Sequence, residues 1–404
     1  MDLKNLLLKQ SLQMKEQLVF WRREIHRHPE IGLSLPHTAA FVERTLTQLG
    51  LTPCRMGGED VTGITAVIPG ACPGPTILLR ADMDALPMDE ENSLPFRSEI
   101  PGAAHMCGHD THTAMLLGAA ALLTRFQQQL QGNVKLMFQP GEEGYNGAGH
   151  MVETGLLENP QVDAAIAMHC LTGSKWKTGT VLCALGGQAK ASADAFRVDV
   201  HGRGTHGATP EHGVDVIDTL TEIVQGIYRI RSRELSAFTP AMLSVCQIHA
   251  GTVDNILPES GYMAGTIRTF DPAVQATYRR RIEEIAQHTA AARGAKASVS
   301  FHGGLRPTLN DPALCPTVFS YVRELVGEEN SDVIGPVTGA EDFSEISCRV
   351  PSVYLDISFG SGEEGYPDAV HSPRCLFNED ALPVGAACYA WCAIRWLQDQ
   401  RPQP

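Results

Sequence analysis

Nine residues, His105-Met106-Cys107-Gly108-His109-Asp110-Thr111-His112-Thr113, hold three imidazoles, a thiol and a carboxylate. A thiolate is a soft ligand and an imidazole a borderline one, and both suit zinc-like divalent ions. Cys107 and His109 are two apart, so on an extended segment their side chains point the same way. Gly108 between them lets the backbone bend close to an ion. A buried cysteine beside surface histidines would explain any one of these residues but not the whole cluster. Elsewhere, Glu142-Glu143 follows Gln139-Pro140-Gly141, His169 follows an apolar run, and His371 precedes Ser372-Pro373.

Cys107, His109, Glu143, His169 and His371 together exceed the three or four ligands of a mononuclear zinc site. They fit two divalent ions about 3.5–4 Å apart with one ligand shared. Neighbouring residues point in different directions, so Glu143 can reach a metal while Glu142 faces the space above it. A carboxylate there can take a proton from water that the ions acidify. A ligating histidine usually passes its other N–H to a carboxylate, a task suited to Asp82 and Asp110. Asp110 is equally suited to capping the helix that begins there.

The elements that must position these residues alternate in type. Residues 5–28 read as one amphipathic helix, and residues 37–49 as a second, ending at Gly50. Apolar runs at 63–68, 76–80, 133–138 and 162–168 read as strands covered on both faces, as in parallel sheets. Asp82 and Asp84, Glu142 and Glu143, and His169 each fall just past the carboxyl end of a separate strand. In open α/β sheets that edge binds ligands. The fold expected is α/β: a mixed, mostly parallel sheet flanked by helices. Near residue 188 the pattern changes to a β-α-β-β-α-β order, predicting an inserted α+β, ferredoxin-like module. The expected division is 1–187 and 304–404 for a catalytic domain and 188–303 for an inserted lid or dimerisation domain.

The 404 residues exceed one ordinary core. A net charge of −14 argues against nucleic acid or anionic membrane as partner. The leucine run near the start is too short for a secretory signal, and no window approaches the roughly 18 apolar residues of a membrane span. The eleven cysteines are an odd count without a C-x-x-C pair, which suits reduced thiols. A cytoplasmic protein is expected.

Arg80-Ala-Asp-Met-Asp-Ala-Leu-Pro87, Met106-Cys-Gly-His-Asp-Thr-His-Thr113, Phe138-Gln-Pro-Gly-Glu-Glu143 and Gly339-Ala-Glu-Asp-Phe343 resemble motifs of the M20 metallopeptidase superfamily. The likeness runs from the first helix to His371. It is strongest to the aminoacylase-like branch, which holds hippurate hydrolases, N-acyl-amino-acid amidohydrolases and auxin-conjugate hydrolases. The resemblance implies a zinc-exopeptidase-like catalytic domain. It also implies two divalent ions per subunit (zinc, manganese, cobalt or nickel) on Cys107, His109, Glu143, His169 and His371, with Glu142 as general base. Gly202-Arg-Gly-Thr-His-Gly-Ala-Thr-Pro210 resembles the family loop whose histidine, here His206, steadies the developing oxyanion, often from the partner subunit. Gly251-Thr-Val-Asp-Asn-Ile-Leu-Pro258 and Gly265-Thr-Ile-Arg-Thr-Phe270 resemble the segments that hold a substrate carboxylate, here through Asn255 and Arg268. Other branches carry a His-x-Asp pair where this chain has Asp82-Met-Asp84, and a bridging Asp where it has Cys107.

The implied activity is hydrolysis of N-acyl-amino acids, small peptide-like substrates, by a homodimer or homotetramer. A metallo-dipeptidase or carboxypeptidase is the nearest rival. Two others come from different classes: a cysteine hydrolase using Cys107, and a non-catalytic, metal-stabilised binding protein.

Overall fold

The computed structural model describes residues 2–400. In chain order the elements begin with α1 (Leu3–Gln13), α2 (Lys15–Arg27), α3 (Pro36–Gln48), β1 (Cys54–Met56), β2 (Gly63–Pro69) and β3 (Thr76–Asp82). Next come α4 (His109–Arg125), β4 (Asn133–Gln139), α5 (Gly147–Glu153), β5 (Ala164–Leu171) and β6 (Val181–Cys183). A middle stretch holds β7 (Gln188–Lys190), β8 (Ala193–His201), β9 (Thr205–His206), α6 (Val216–Arg229), β10 (Ala241–Ala250), β11 (Ile256–Leu257), β12 (Ser260–Thr269), α7 (Pro272–Ala292) and β13 (Lys296–Leu305). The chain closes with β14 (Thr308–Leu309), α8 (Leu314–Val326), β15 (Ser331–Val333), α9 (Ser344–Ser347), β16 (Ser352–Ser358) and α10 (Leu382–Asp399).

Two compact units result. The first comprises 1–187, 309–335 and 342–404, and the second 188–308 and 336–341. The second unit thus runs beyond residue 303, because β13 continues to Leu305. It also takes in a short later segment, since Val337 exchanges backbone hydrogen bonds with Ala189 and Ala191.

The first unit is built on an eight-stranded sheet in the order β1-β2-β4-β3-β5-β16-β6-β15. The four central strands, β4, β3, β5 and β16, run parallel. Every residue of β3 and β16 is buried, and each carries an apolar run at its middle, Ile77-Leu78-Leu79 and Val353-Tyr354-Leu355. β2 departs from the expected parallel set: it pairs antiparallel with β4 and with β1. Its apolar run gave no warning, since burial on both faces leaves the same pattern in either direction. Helix α4 is buried along almost its whole length, between β3 on one side and α10 and α2 on the other. A helix that is apolar all round needs such cover.

The single helix expected over 5–28 is two. Met14 leaves the helical region at φ −87°, ψ 1°. The turn lets α1 lie on α10 while α2 lies on α4 and buries Leu18, Trp21, Arg22, Ile25 and His26.

The second unit has its own core, formed by residues such as Phe196, Val198, Leu220, Ile223, Met263, Tyr278 and Ile282. Its sheet is antiparallel in the order β10-β12-β8-β13, with α6 and α7 packed on it. This is the arrangement that a β-α-β-β-α-β order produces when both helices cross the same face. Asp215 and Asp271 cap α6 and α7 through Ile217, Asp218 and Ala273 backbone N–H groups.

Candidate metal centre and associated residues

The carboxyl ends of the parallel strands converge in the first unit. β3 ends at Asp82, β4 leads through Gln139 to Glu142-Glu143, and β5 carries His169 near its end. Gly108 takes φ 84° at the head of α4, and a Cβ there would meet Cys170 Sγ at 2.4 Å and Phe377 at 2.7 Å. Glycine therefore allows Cys107 and His109 to be set on either side of a tight turn. His371 arrives from the far end of the chain with φ 69°, a left-handed backbone unusual for a residue with a side chain. Its backbone N–H donates to Met106 O at 2.8 Å, which pins it beside Cys107.

The five expected ligands meet. Cys107 Sγ lies 3.5 Å from His169 Nε2 and 3.3 Å from His371 Nε2. His371 Nε2 is 3.3 Å from Glu143 Oε1, and His109 Nε2 is 3.9 Å from the same oxygen. Ligand atoms of Cys107, His109 and His169 lie within 4.8 Å of one another, as do those of Cys107, Glu143 and His371. Glu143 Oε1 and both ring nitrogens of His109 are buried without a hydrogen-bond partner. Buried polar atoms are rarely left so. A thiol, three imidazoles and a carboxylate with orphaned donor atoms fit divalent transition ions.

Ring orientation follows from the outer contacts. His169 Nδ1–H donates to Cys170 O at 2.6 Å, which turns Nε2 toward Cys107. His112, the third imidazole of the stretch, is spoken for on both sides. Its Nε2 accepts from the Cys170 backbone N–H at 2.8 Å, so Nδ1 carries the proton that faces Asp82 Oδ1 at 2.5 Å. His112 is thus a structural link between α4 and β5, although its atoms sit close enough to neighbours to resemble a ligand.

Asp82 also meets Arg80 at 2.8 Å and stands 3.8 Å from His109 Nε2. Burial opposes its ionisation, but Arg80, then His109 and His112, hold its carboxyl well below the usual range. Burial likewise opposes a charged His109, and Asp82 and Cys107 outweigh it, raising its pKa. Arg80 is itself held by Gln139 at 2.9 Å and Asp342 at 3.2 Å, and Gln139 donates to both oxygens of Asp342.

Asp110 faces away from the ligands. Its Oδ2 forms an ion pair with Arg22, 2.7 Å from Nε, and lies 2.8 Å from His26 Nδ1. It neither orients a ligand histidine nor caps α4, whose N-cap is Gly108 without a side-chain bond. Arg22 continues to Glu379 at 3.3 Å, and His26 Nε2 to Glu90 at 3.3 Å. Next to this group, burial lowers the His105 pKa to about 3, against the opposing pull of Asp110.

Sequence reasoning placed Asp84 at the ligand-binding edge of the sheet but assigned it no specific task. Its two oxygens accept the backbone N–H groups of Glu142 and Glu143, each at 3.0 Å, and Oδ1 is 3.4 Å from His109 Nδ1. It fixes the Glu142-Glu143 turn against the ligand helix. The alternation Asp82-Met83-Asp84 at a strand end carried the signal, since two residues apart share a direction.

The remaining expected residues lie in the second unit. The ladder of β9 with β11 sets His206 opposite Ile256, and Gly207 N–H donates to Asn255 O at 2.8 Å. His206 Nδ1 accepts from the Ala208 N–H at 3.0 Å. Arg268, on β12, donates to Thr266 Oγ1 at 2.6 Å and Ile267 O at 2.9 Å. It has no carboxylate partner among the described residues, so it is not the surface ion pair that would have been its simplest explanation.

A family model described as Peptidase family M20/M25/M40 matches residues 78–395. Thermostable carboxypeptidase 1 of Saccharolobus solfataricus is 35% identical over 401 residues, covering 98% of this chain and 99% of the relative. N-acetyl-L-cysteine deacetylase of Bacillus subtilis is 35% identical over 394 residues, covering 96% and 90%. Among solved structures, the Bacillus subtilis YXEP protein, described as a dinuclear metal binding peptidase from the M20 family, superposes with a TM-score of 0.82 at 28% identity, covering 96% of this chain and 99% of that one.

Proposed function

The chain belongs to peptidase family M20/M25/M40, and from that premise we propose that it hydrolyses the amide bond of N-acyl-amino acids, releasing a carboxylate and a free amino acid. The observation that carries this reading is the meeting of Cys107, His109, Glu143, His169 and His371 around orphaned donor atoms. These five residues would hold two divalent ions, with zinc, manganese, cobalt and nickel all compatible with the donor set. When bound, such ions supply Lewis acidity that polarises a carbonyl and makes water more acidic.

The chain's own residues do the rest. Glu142 takes the proton of the attacking water and passes it to the leaving nitrogen. Asp84 keeps Glu142 in place by gripping its backbone N–H. His206 donates to the oxyanion that develops on the amide carbonyl. Arg268 and Asn255 hold the carboxylate of the amino-acid half, for which a planar guanidinium fork is well shaped.

A homodimer or tetramer is part of the same proposal. Its support is β10, an edge strand of the second unit's sheet, which exposes Met242 and Ile248, together with exposed Ile217 and Tyr228 on α6. No disulfide links any of the described cysteines, which suits a reducing compartment such as the cytoplasm. Among the described residues no helix is long and apolar enough to cross a membrane.

The carboxypeptidase name of the Saccharolobus relative supports a second reading, peptide hydrolysis at a free carboxyl end. A panel of N-acetyl and N-benzoyl amino acids beside free-amine dipeptides, each with and without chelator, separates the two. Preference for a free α-amine, or turnover indifferent to chelation, overturns the acyl reading.

A further inference from the structure

A second group of metal-type donors lies where α2 ends. Glu24 and His28 are one helical turn apart at that end, and His37 is the second residue of α3. One ligand atom from each lies within 4.8 Å of the others. The rings of His28 and His37 stack with centroids 4.3 Å apart at 36°. Glu99 brings a fourth donor, its Oε2 standing 3.9 Å from His28 Nε2. None of these residues belongs to the centre described above.

We propose that Glu24, His28 and His37, with Glu99 as an added carboxylate, form a separate surface site for a borderline divalent transition ion such as Zn²⁺. Two imidazoles with one or two carboxylates is the donor set such ions take.

The surroundings are prepared as metal sites usually are. His28 Nδ1 hydrogen-bonds the Glu24 carbonyl at 3.0 Å, the backbone contact that commonly orients a ligating imidazole. His37 is fixed by Glu30, whose carboxylate accepts the His37 and Thr38 N–H groups at 3.0 and 2.9 Å. Glu99 is tied down by its own N–H, which donates to Arg27 O at 2.9 Å. The site also sits at the carboxyl end of α2, where the helix dipole favours a cation. The competing contact is weak: Arg27 reaches Glu24 only at 3.7 Å, with both side chains about one-third exposed. Two stacked imidazoles would repel if both were protonated, whereas one shared ion draws them together.

The test counts metal in the full chain as purified, then after dialysis against Zn²⁺ and removal of unbound ion. The wild type is expected to carry one more equivalent of total divalent metal than His28→Ala or His37→Ala. Glu99→Gln is expected to bind the added Zn²⁺ roughly tenfold more weakly. The added Zn²⁺ should also raise the melting temperature of the wild type more than that of His37→Gln, which retains the Cys107 centre and keeps a polar side chain should the alanine variant fold poorly. Equal metal counts in wild type and both alanine variants, or a zinc-induced shift as large in His37→Gln as in the wild type, overturns the proposal.

Discussion

Cys107 and His109 are buried at the head of α4, and each neighbour that holds them is held in turn. His206 and Asn255 lie exposed along a two-residue ladder, and Arg268 is half-buried against its own strand. The first group is over-determined: Arg80, Asp82, His112, Gln139 and Asp342 are all buried and fix one another. The second group is fixed by little more than its own backbone. A centre that must keep charged and soft donors close together without collapse requires a rigid shell. Residues that meet a substrate and release it gain from the opposite arrangement. Substitutions in the first group should therefore register in metal content and stability, and those in the second in kinetics alone.

Glu142 belongs to the rigid side by its backbone and to the chemistry by its side chain, so it tests the contrast most sharply. Glu142→Gln should lower kcat about 10²–10⁴-fold while metal content and melting temperature stay at wild-type values. A parallel loss of metal would instead make it a ligand. Arg80→Met leaves Asp82 and Asp342 buried without their cation, and should cost about 3–5 kcal/mol in urea unfolding. Wild-type stability there would mean the shell is not what holds the ligands. His206→Ala should cost about 10²–10³-fold in kcat with no change in unfolding. Arg268→Lys keeps the charge and loses the fork. It should raise KM roughly tenfold for substrates with a free carboxylate and leave their amides untouched. An equal effect on both substrates would remove the carboxylate role.

Part of this was legible in the chain itself. The strand ends at Asp82 and Gln139 could be placed because apolar runs stop where polar ligands begin, whereas β5 runs on through His169 to Leu171; the ferredoxin-like order of the insert followed from alternating periodicity. Other parts left no local trace. β2 reads like its parallel neighbours because burial, not direction, sets its composition. The break at Met14 is decided by where α10 and α4 offer grooves. Asp110 looks like a cap or a partner for a ligand histidine, and only the approach of α2 shows that Arg22 and His26 claim it. His112 looks like a ligand until the Cys170 N–H is seen to occupy its second nitrogen.

The position of β16 bears on how the molecule is made. It lies between β5 and β6, pairing with the first in parallel and the second antiparallel. Until Ser352–Ser358 leaves the ribosome, the sheet exists as two fragments and the flank of β5 is an open template. His371 emerges later still, so a nascent chain cannot close its cage of donors until β16 has already been made. Release short of β16 should therefore yield aggregates rather than a smaller working enzyme.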